Sequence, residues 1–202
     1  MYLLEGLYHG LERVSRVAVW LGGLALMICA VMVTVDVLAR KFLGMTMSGS
    51  DEISGYVFAA GTTWAYSYCL LHRSNIRIDA LYNFLPAWAR AALDVLGLAL
   101  LLLFMWHMTD KSIDVFLTSW QYDSVAITTL ATRLWIPQLF WVAGLVLFVF
   151  TLIVVLLYTV LSLLRRDLAT ERRIAGVLTI HEEIAEETHG IDAVAAGKES
   201  EV

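Results

Sequence analysis

The sequence is poor in charged residues, in proline and in cysteine. Only 16% of its 202 residues are charged, and it contains 2 prolines and 2 cysteines, whereas a soluble domain has about 25% charged residues. Cys29 and Cys69 both lie in apolar stretches and form no C-x-x-C pair. They therefore resemble small buried hydrophobic residues, and disulfide-exchange chemistry is poorly supported.

The residue patterns that hold a metal or a haem are also missing. His181 and Glu182 begin a fragment like H-E-x-x-H, but position 185 is not histidine. The apolar stretches offer only His72 and His107, which we place near opposite membrane faces, so both cannot ligate one haem iron. We predict no catalytic residue, no metal and no cofactor, hence no enzyme. A membrane-anchored haem or quinone electron-transfer subunit is kept as an alternative.

Four long apolar runs are what the sequence does contain. They cover approximately residues 17–35, 53–71, 91–108 and 134–164, and a helix needs about 20 apolar residues to cross the hydrocarbon core. We predict an all-α membrane protein with four tilted transmembrane helices at about 17–39, 53–71, 87–109 and 134–164. These form a membrane domain over residues 1–166.

The distribution of Lys and Arg predicts the orientation of the helices. If the N-terminus is inside, the inner segments carry nine basic residues, whereas the outer connections, 41–52 and 110–133, together with Arg40 carry four. Because positive charge accumulates on the cytoplasmic side, both termini are predicted to be cytoplasmic. The nine are Arg13, Arg16, Arg73, Arg77, Arg90, Arg165, Arg166, Arg172 and Arg173.

The acidity of the chain belongs to its last segment. The net charge is −5, yet residues 167–202 alone carry −6 from nine acids and three bases. This composition predicts an acidic cytoplasmic tail that is largely disordered. The tail indicates nothing about a substrate, and no feature predicts nucleic-acid binding.

Charged residues mark the ends of the first two spans. Asp36 and Arg40 are four residues apart, so they can pair at the membrane interface and end the first helix. Alternatively, the two residues form part of a rim that docks a partner. Ser50 or Asp51 is expected to cap the second span, because their side-chain oxygens accept from free amides. Glu52 in the first turn suits the positive end of the helix dipole.

The second span carries a stripe of small residues at every fourth position, namely Gly55, Ala59, Thr63 and Ser67. In lipid, helices associate through close packing and interhelical hydrogen bonds, so this face should press against another helix. That helix belongs either to this chain or to a second membrane subunit, and the sequence leaves both open.

Residues 72–86 are too polar to span a membrane and too apolar for a free loop. They predict a short amphipathic helix in the plane of the inner interface, with Pro86 at the start of the third span. At the other side, Trp135 and Pro137 open the fourth span. The anchors predicted within the interfacial segment are Arg73, Asn75, Arg77 and Asp79.

An independent transporter or channel is the second alternative. Transport sites usually lie near the membrane midplane and contain polar or charged groups on broken helices. The central parts of the first, third and fourth runs contain no ionisable residue, and the second is polar only through hydroxyl and tyrosine side chains. This pattern favours an accessory or scaffold protein that contacts lipid and partner subunits.

Several of these features together resemble a known family. They are the acidic start of the second span, its small and aromatic composition, the segment Arg73-Ser74-Asn75-Ile76-Arg77-Ile78-Asp79, Leu85-Pro86 and Trp135-Ile136-Pro137. The chain resembles the small DctQ-like membrane subunit of tripartite ATP-independent periplasmic (TRAP) transporters over roughly residues 10–165. The family usually has histidine where this chain has Asn75.

The resemblance implies a role and partners. It implies a small inner-membrane subunit that forms a heterodimer with a large membrane subunit and braces it. A soluble periplasmic protein would deliver the substrate, most often an organic acid, and an ion gradient, usually sodium, would drive uptake. We expect partner contacts at three regions: the stripe of the second span, residues 72–86, and the outer connections, which could meet the binding protein.

Overall fold

The structure, a computed structural model, describes residues 2–72 and 87–164. It contains four helices, α1 (Tyr2–Leu43), α2 (Ser50–Leu71), α3 (Ala87–Gln121) and α4 (Trp135–Leu164). The rest of the described chain is turn or irregular, apart from a single bridge pair between Val125 and Arg133. The predicted all-α class is confirmed. The predicted interfacial helix and the acidic tail lie outside the described residues.

The helices are longer than the predicted membrane spans. α1, α3 and α4 have 42, 35 and 30 residues, which at a rise of 1.5 Å per residue corresponds to about 63, 52 and 45 Å. Each exceeds a hydrocarbon core of about 30 Å, so these helices must tilt or extend beyond it. Among the described helices, these three are long and apolar enough to cross a membrane, whereas α2 is less apolar.

The connection predicted at residues 110–133 is shorter than expected. α3 continues as a helix to Gln121, and only residues 122–134 connect it to α4. The charged residues near position 110 suggested a loop, but Ser112 and Ser119 are both buried. Their spacing of seven residues places them on one helical face, so the packed face of α3 continues through the charged turn.

The four helices form a row in the order α1, α2, α4, α3. α2 packs on both α1 and α4, and α3 packs on α4, whereas α1 contacts α4 only slightly. The burial of the apolar segments follows this order, with 50% of the residues buried in α4 but only 11% in α1 and 22% in α3. The two edge helices therefore present long apolar faces to their surroundings.

The core of the row is centred on α4. Leu145, Leu152 and Val155 are among its most completely buried side chains. Leu71 of α2 and Leu98 of α3 join the same apolar cluster from the two sides. Because α4 contributes most of the cluster, it is the helix on which the others are assembled.

Two close approaches between helices depend on glycine. A Cβ atom on Gly22 of α1 would lie 3.3 Å from the Cα of Gly61 in α2. A Cβ atom on Gly144 of α4 would overlap the side chain of Thr63 and lie 2.7 Å from Trp64 Cδ1. The first contact brings two helix backbones together, and the second lets side chains of α2 pack on the backbone of α4; close packing of this kind is how helices associate in lipid.

Candidate functional site

The predicted stripe of α2 is divided between the interior and the surface. Thr63 and Ser67 are buried, whereas Gly55 and Ala59 are exposed. Thr63 Oγ1 donates to the carbonyl of Ala60 at 2.9 Å, so its hydroxyl is satisfied within its own helix. A Cβ atom on Gly55 would meet nothing within 4 Å. Half of the stripe thus packs inside this chain, and half is exposed on the surface of the described residues.

Asp36 forms a polar hub where α1 approaches the start of α2. Its carboxylate accepts from Arg40 Nη2 at 2.6 Å, from the Met47 backbone N–H at 2.5 Å and from Ser50 Oγ at 3.0 Å. Thr46 Oγ1 lies at 3.5 Å. The side chain of Asp36 is buried while that of Arg40 is half exposed. The structure thus contains the ion pair that the four-residue spacing predicts. In addition, the connection between α1 and α2 is hydrogen-bonded to the same carboxylate.

Two details of this region correct the sequence-based expectations. The first helix does not end at the Asp36–Arg40 pair but continues to Leu43, after which Gly44 has a φ of 64°. The cap of α2 is neither Ser50 nor Asp51 but Gly49, which has a φ of 98° and no side chain to accept a bond. Ser50 cannot act as the cap because it is already helical and its hydroxyl is bound to Asp36.

Glu52 joins α2 to the connection between α3 and α4. Tyr56 Oη donates to Glu52 Oε1 at 2.8 Å, and the hydroxyls of Thr128 and Thr132 approach the same carboxylate. No hydrogen bond of good geometry reaches Glu52 Oε2 within the described structure. The pKa of Glu52 is lowered, mainly by the Thr128 hydroxyl and then by Tyr56. Burial opposes this change, and Thr132 lowers the pKa by a smaller amount.

This pKa shift predicts a pH dependence of stability. Because the pKa of Glu52 is lower in the folded chain than its ordinary value of 4.5, its charged form stabilises the fold above that pH and the contribution disappears as pH falls through the folded pKa. Thermal unfolding of the purified chain, measured from pH 7 down to pH 3, should show this loss. Glu52→Gln should remove that part of the pH dependence; Asp51→Asn, at an exposed neighbour, should not. Identical profiles for wild type and Glu52→Gln would contradict the assignment.

The two connections at this end of the row also touch directly. A Cβ atom on Gly49 would overlap the side chain of Leu130, so the connection between α3 and α4 packs against the residue that caps α2. Within that turn, Ala126 N–H donates to the Thr132 carbonyl at 2.9 Å and Leu134 N–H to the Ser124 carbonyl at 2.9 Å. We call this assembly of residues 44–49 and 122–134 the loop end of the row.

Trp135 and Pro137 lie at the first turn of α4, where the sequence predicts them. Trp135 packs edge-on against Trp120 of α3, with ring centroids 4.7 Å apart. Pro137 lacks an N–H, and in the first turn of a helix that group would have no intrahelical acceptor. Arg73, Asn75, Arg77, Asp79 and Pro86 lie outside the described residues.

The opposite end of the row is closed by aromatic residues. Tyr8 Oη donates to the carbonyl of Leu71 at 3.1 Å, and the Tyr8 ring lies edge-on to Tyr158 with centroids 6.4 Å apart. The beginning of α1 thereby closes the end of α2 against α4. Sequence reasoning did not single out Tyr8, because the pairing of distant helices is not visible in one sequence.

Gly22, Gly61 and Gly144 were also missed by sequence reasoning. Each interrupts an apolar run, and that interruption was the available signal. Chemically, the site provides helix contacts and ion pairs. The described residues contain no group of three His, Cys, Asp or Glu side chains able to hold a metal ion.

These features define a class before they define a family. The described chain is a helical membrane protein with three apolar helices long enough to span, and its polar groups connect helices to one another. A family model for the DctQ component of tripartite ATP-independent periplasmic transporters matches residues 29–164. This is about two thirds of the chain, so the protein belongs to the DctQ family and is a small membrane subunit of a TRAP transporter.

The family is a transporter component and not an enzyme family, and it assigns the chain to the inner membrane. The predicted resemblance is therefore confirmed. Neither a curated protein nor a solved structure matches the chain significantly.

Proposed function

We propose that this chain braces the large membrane subunit of its transporter while that subunit moves substrate. Membership of the DctQ family over residues 29–164 is the observation that carries the proposal. It is supported by the row of helices, whose edge members α1 and α3 leave most of their apolar segments unburied. Such faces provide area for lipid and for a second membrane subunit.

The proposed transport cycle follows the family. A periplasmic protein delivers an organic acid, an ion gradient, usually of sodium, drives its uptake, and the large subunit binds both. A transporter carries its substrate site near the membrane midplane. At that level, the described part of this chain supplies contacts between helices. We assign the chain the static role in a heterodimer.

We propose that α2 is the fourth membrane span. The predicted span within it, residues 53–71, corresponds to about 28 Å, close to the thickness of the hydrocarbon core. It lies between α1 and α4, so protein neighbours replace lipid over part of its surface. Polar residues such as Thr63 and Ser67 are tolerated there because they face the interior, which explains the lower apolarity of α2.

The charge distribution supports an orientation with both termini in the cytoplasm. In this orientation the loop end faces the periplasm. It presents exposed apolar side chains, including a fully exposed Ile127 with Tyr122 and Met45 beside the turns. We propose that the periplasmic binding protein approaches this surface.

Reconstitution into proteoliposomes tests the proposal. The large subunit, the binding protein and this chain together should take up substrate when an ion gradient is applied. The chain alone should give no solute flux. Specific flux through the chain alone would overturn the bracing role and favour an independent transporter or channel.

The exposed half of the α2 stripe gives a further prediction. Gly55→Leu and Ala59→Leu should weaken the complex with the large subunit, because a bulky side chain keeps two helices from close contact. Neither should alter the melting temperature of the isolated chain. Gly10→Leu near the start of α1, before the predicted span, is the matched control, because Gly10 also has nothing within 4 Å. Retention of the large subunit on an affinity column measures the effect; undiminished retention by both variants would show that the stripe does not contact it.

A further inference from the structure

The exposed side of α3 carries an ion-paired group in the second half of the helix. Lys111 Nζ lies 2.9 Å from Asp114 Oδ2 and 3.2 Å from Asp110 Oδ2. All three side chains are more than half exposed. Two carboxylates face one ammonium, so the group has a net charge of −1.

Neighbouring contacts indicate the depth of this group. Trp120 of α3 packs against Trp135 at the start of α4, and tryptophan is enriched at the level of the lipid headgroups. At 1.5 Å per residue, Asp114 and Asp110 lie about 9 and 15 Å along α3 from Trp120, toward the opposite end of the row. The ion-paired group is thus on the membrane side of the tryptophan pair.

Exposed apolar side chains lie along α3 on both sides of the group in sequence. The first turns of α4, which begin beside Trp120, also expose apolar side chains. They include Leu103, Trp106, Val115, Leu117, Leu139 and Phe140. A charged group that faced lipid at this depth would be costly, and such groups normally face protein or water.

We infer that this face of α3 docks on the large membrane subunit, and that a basic side chain of that subunit lies against Asp110 and Asp114. The inference rests on the proposed function, which supplies a membrane partner of the right kind. Because the group has a net charge of −1, it favours contact with a cation. An Arg or Lys on a transmembrane helix of the partner would neutralise the group. α3 is an edge helix with little burial in this chain, so its face is available to a partner.

A paired charge variant tests the inference. Asp110→Asn with Asp114→Asn should weaken binding of the large subunit by about tenfold or more, as expected when one side of an interfacial charge pair is removed. The conservative double variant with Glu at both positions should keep binding. Asp123→Asn removes an acidic charge at an exposed position of the loop end and should change binding by less than about twofold. Binding is measured with purified full-length chain and large subunit in detergent.

A spin label measures the surroundings of the same face without changing its charge. Cys29 and Cys69 are replaced by alanine, and Leu117→Cys carries the label. In the complex the label should be protected both from a water-soluble nickel reagent and from oxygen. Access of nickel would place the group in water, and access of oxygen would place it against lipid; either result, or unchanged binding of the Asn variant, overturns the inference. If the wild-type chain binds no large subunit, the proposed function itself fails.

Discussion

Replacing Gly144 by alanine is expected to destabilise the chain by forcing α2 and α4 apart. The new Cβ atom would overlap the side chain of Thr63 and press on Trp64. The Thr63 Cβ atom also lies within 2.9 Å of the added position, so rotating the hydroxyl cannot relieve the contact and the two helices must separate. Overpacking of this kind costs about 1–3 kcal/mol.

Thermal unfolding of the purified chain in mild detergent measures this effect. The expected separation should also lengthen the hydrogen bond from Trp64 Nε1 to the Phe140 carbonyl, now 2.8 Å, and shift the tryptophan fluorescence. Gly23→Ala is the matched control, because Gly23 has nothing within 4 Å and alanine favours a helix over glycine. Equal melting temperatures for Gly144→Ala and Gly23→Ala would contradict the close contact of α2 and α4.

Replacing Asp36 by alanine is expected to release the loop end from α1. The substitution leaves the Met47 N–H and the Ser50 hydroxyl without their acceptor, and unsatisfied polar groups at a buried position are destabilising. The connection at residues 44–49 should then become more susceptible to protease added on its own side of the membrane. The melting temperature should fall as well.

Graded substitutions separate the hub from the ion pair. Asp36→Asn keeps an acceptor oxygen and should fall between wild type and Asp36→Ala. Thr46→Val removes only a contact at 3.5 Å and should have little effect. Arg40→Ala should be milder than Asp36→Ala, because Arg40 is half exposed and exposed ion pairs contribute little. If the two variants are equally damaging, the salt bridge and not the hub holds the connection.

Local patterns in the sequence predicted the elements that depend on local interactions. The four-residue spacing of Asp36 and Arg40 placed the two side chains together, and Trp135 with Pro137 marked the first turn of α4. The helical class followed from the four apolar runs. These features need only the period of the helix and the chemistry of its ends.

Pairing between distant helices could not be predicted in the same way. Every fourth residue of α2 is small, and this periodicity identified a face, but it could not show that Thr63 meets Gly144 while Gly55 meets no described residue. The hydroxyl of Ser50 had a local use as a cap and a distant one at Asp36, and burial of that carboxylate decided between them. The order α1, α2, α4, α3 likewise depends on which faces of distant helices meet.

The most direct test of the bracing role is purification of the tagged full-length chain after expression with its genomic neighbours. The account predicts that a larger polytopic membrane protein remains bound in a constant ratio through affinity and size-exclusion chromatography in mild detergent. Elution of the chain alone, with the large protein present in the same membranes, would contradict it.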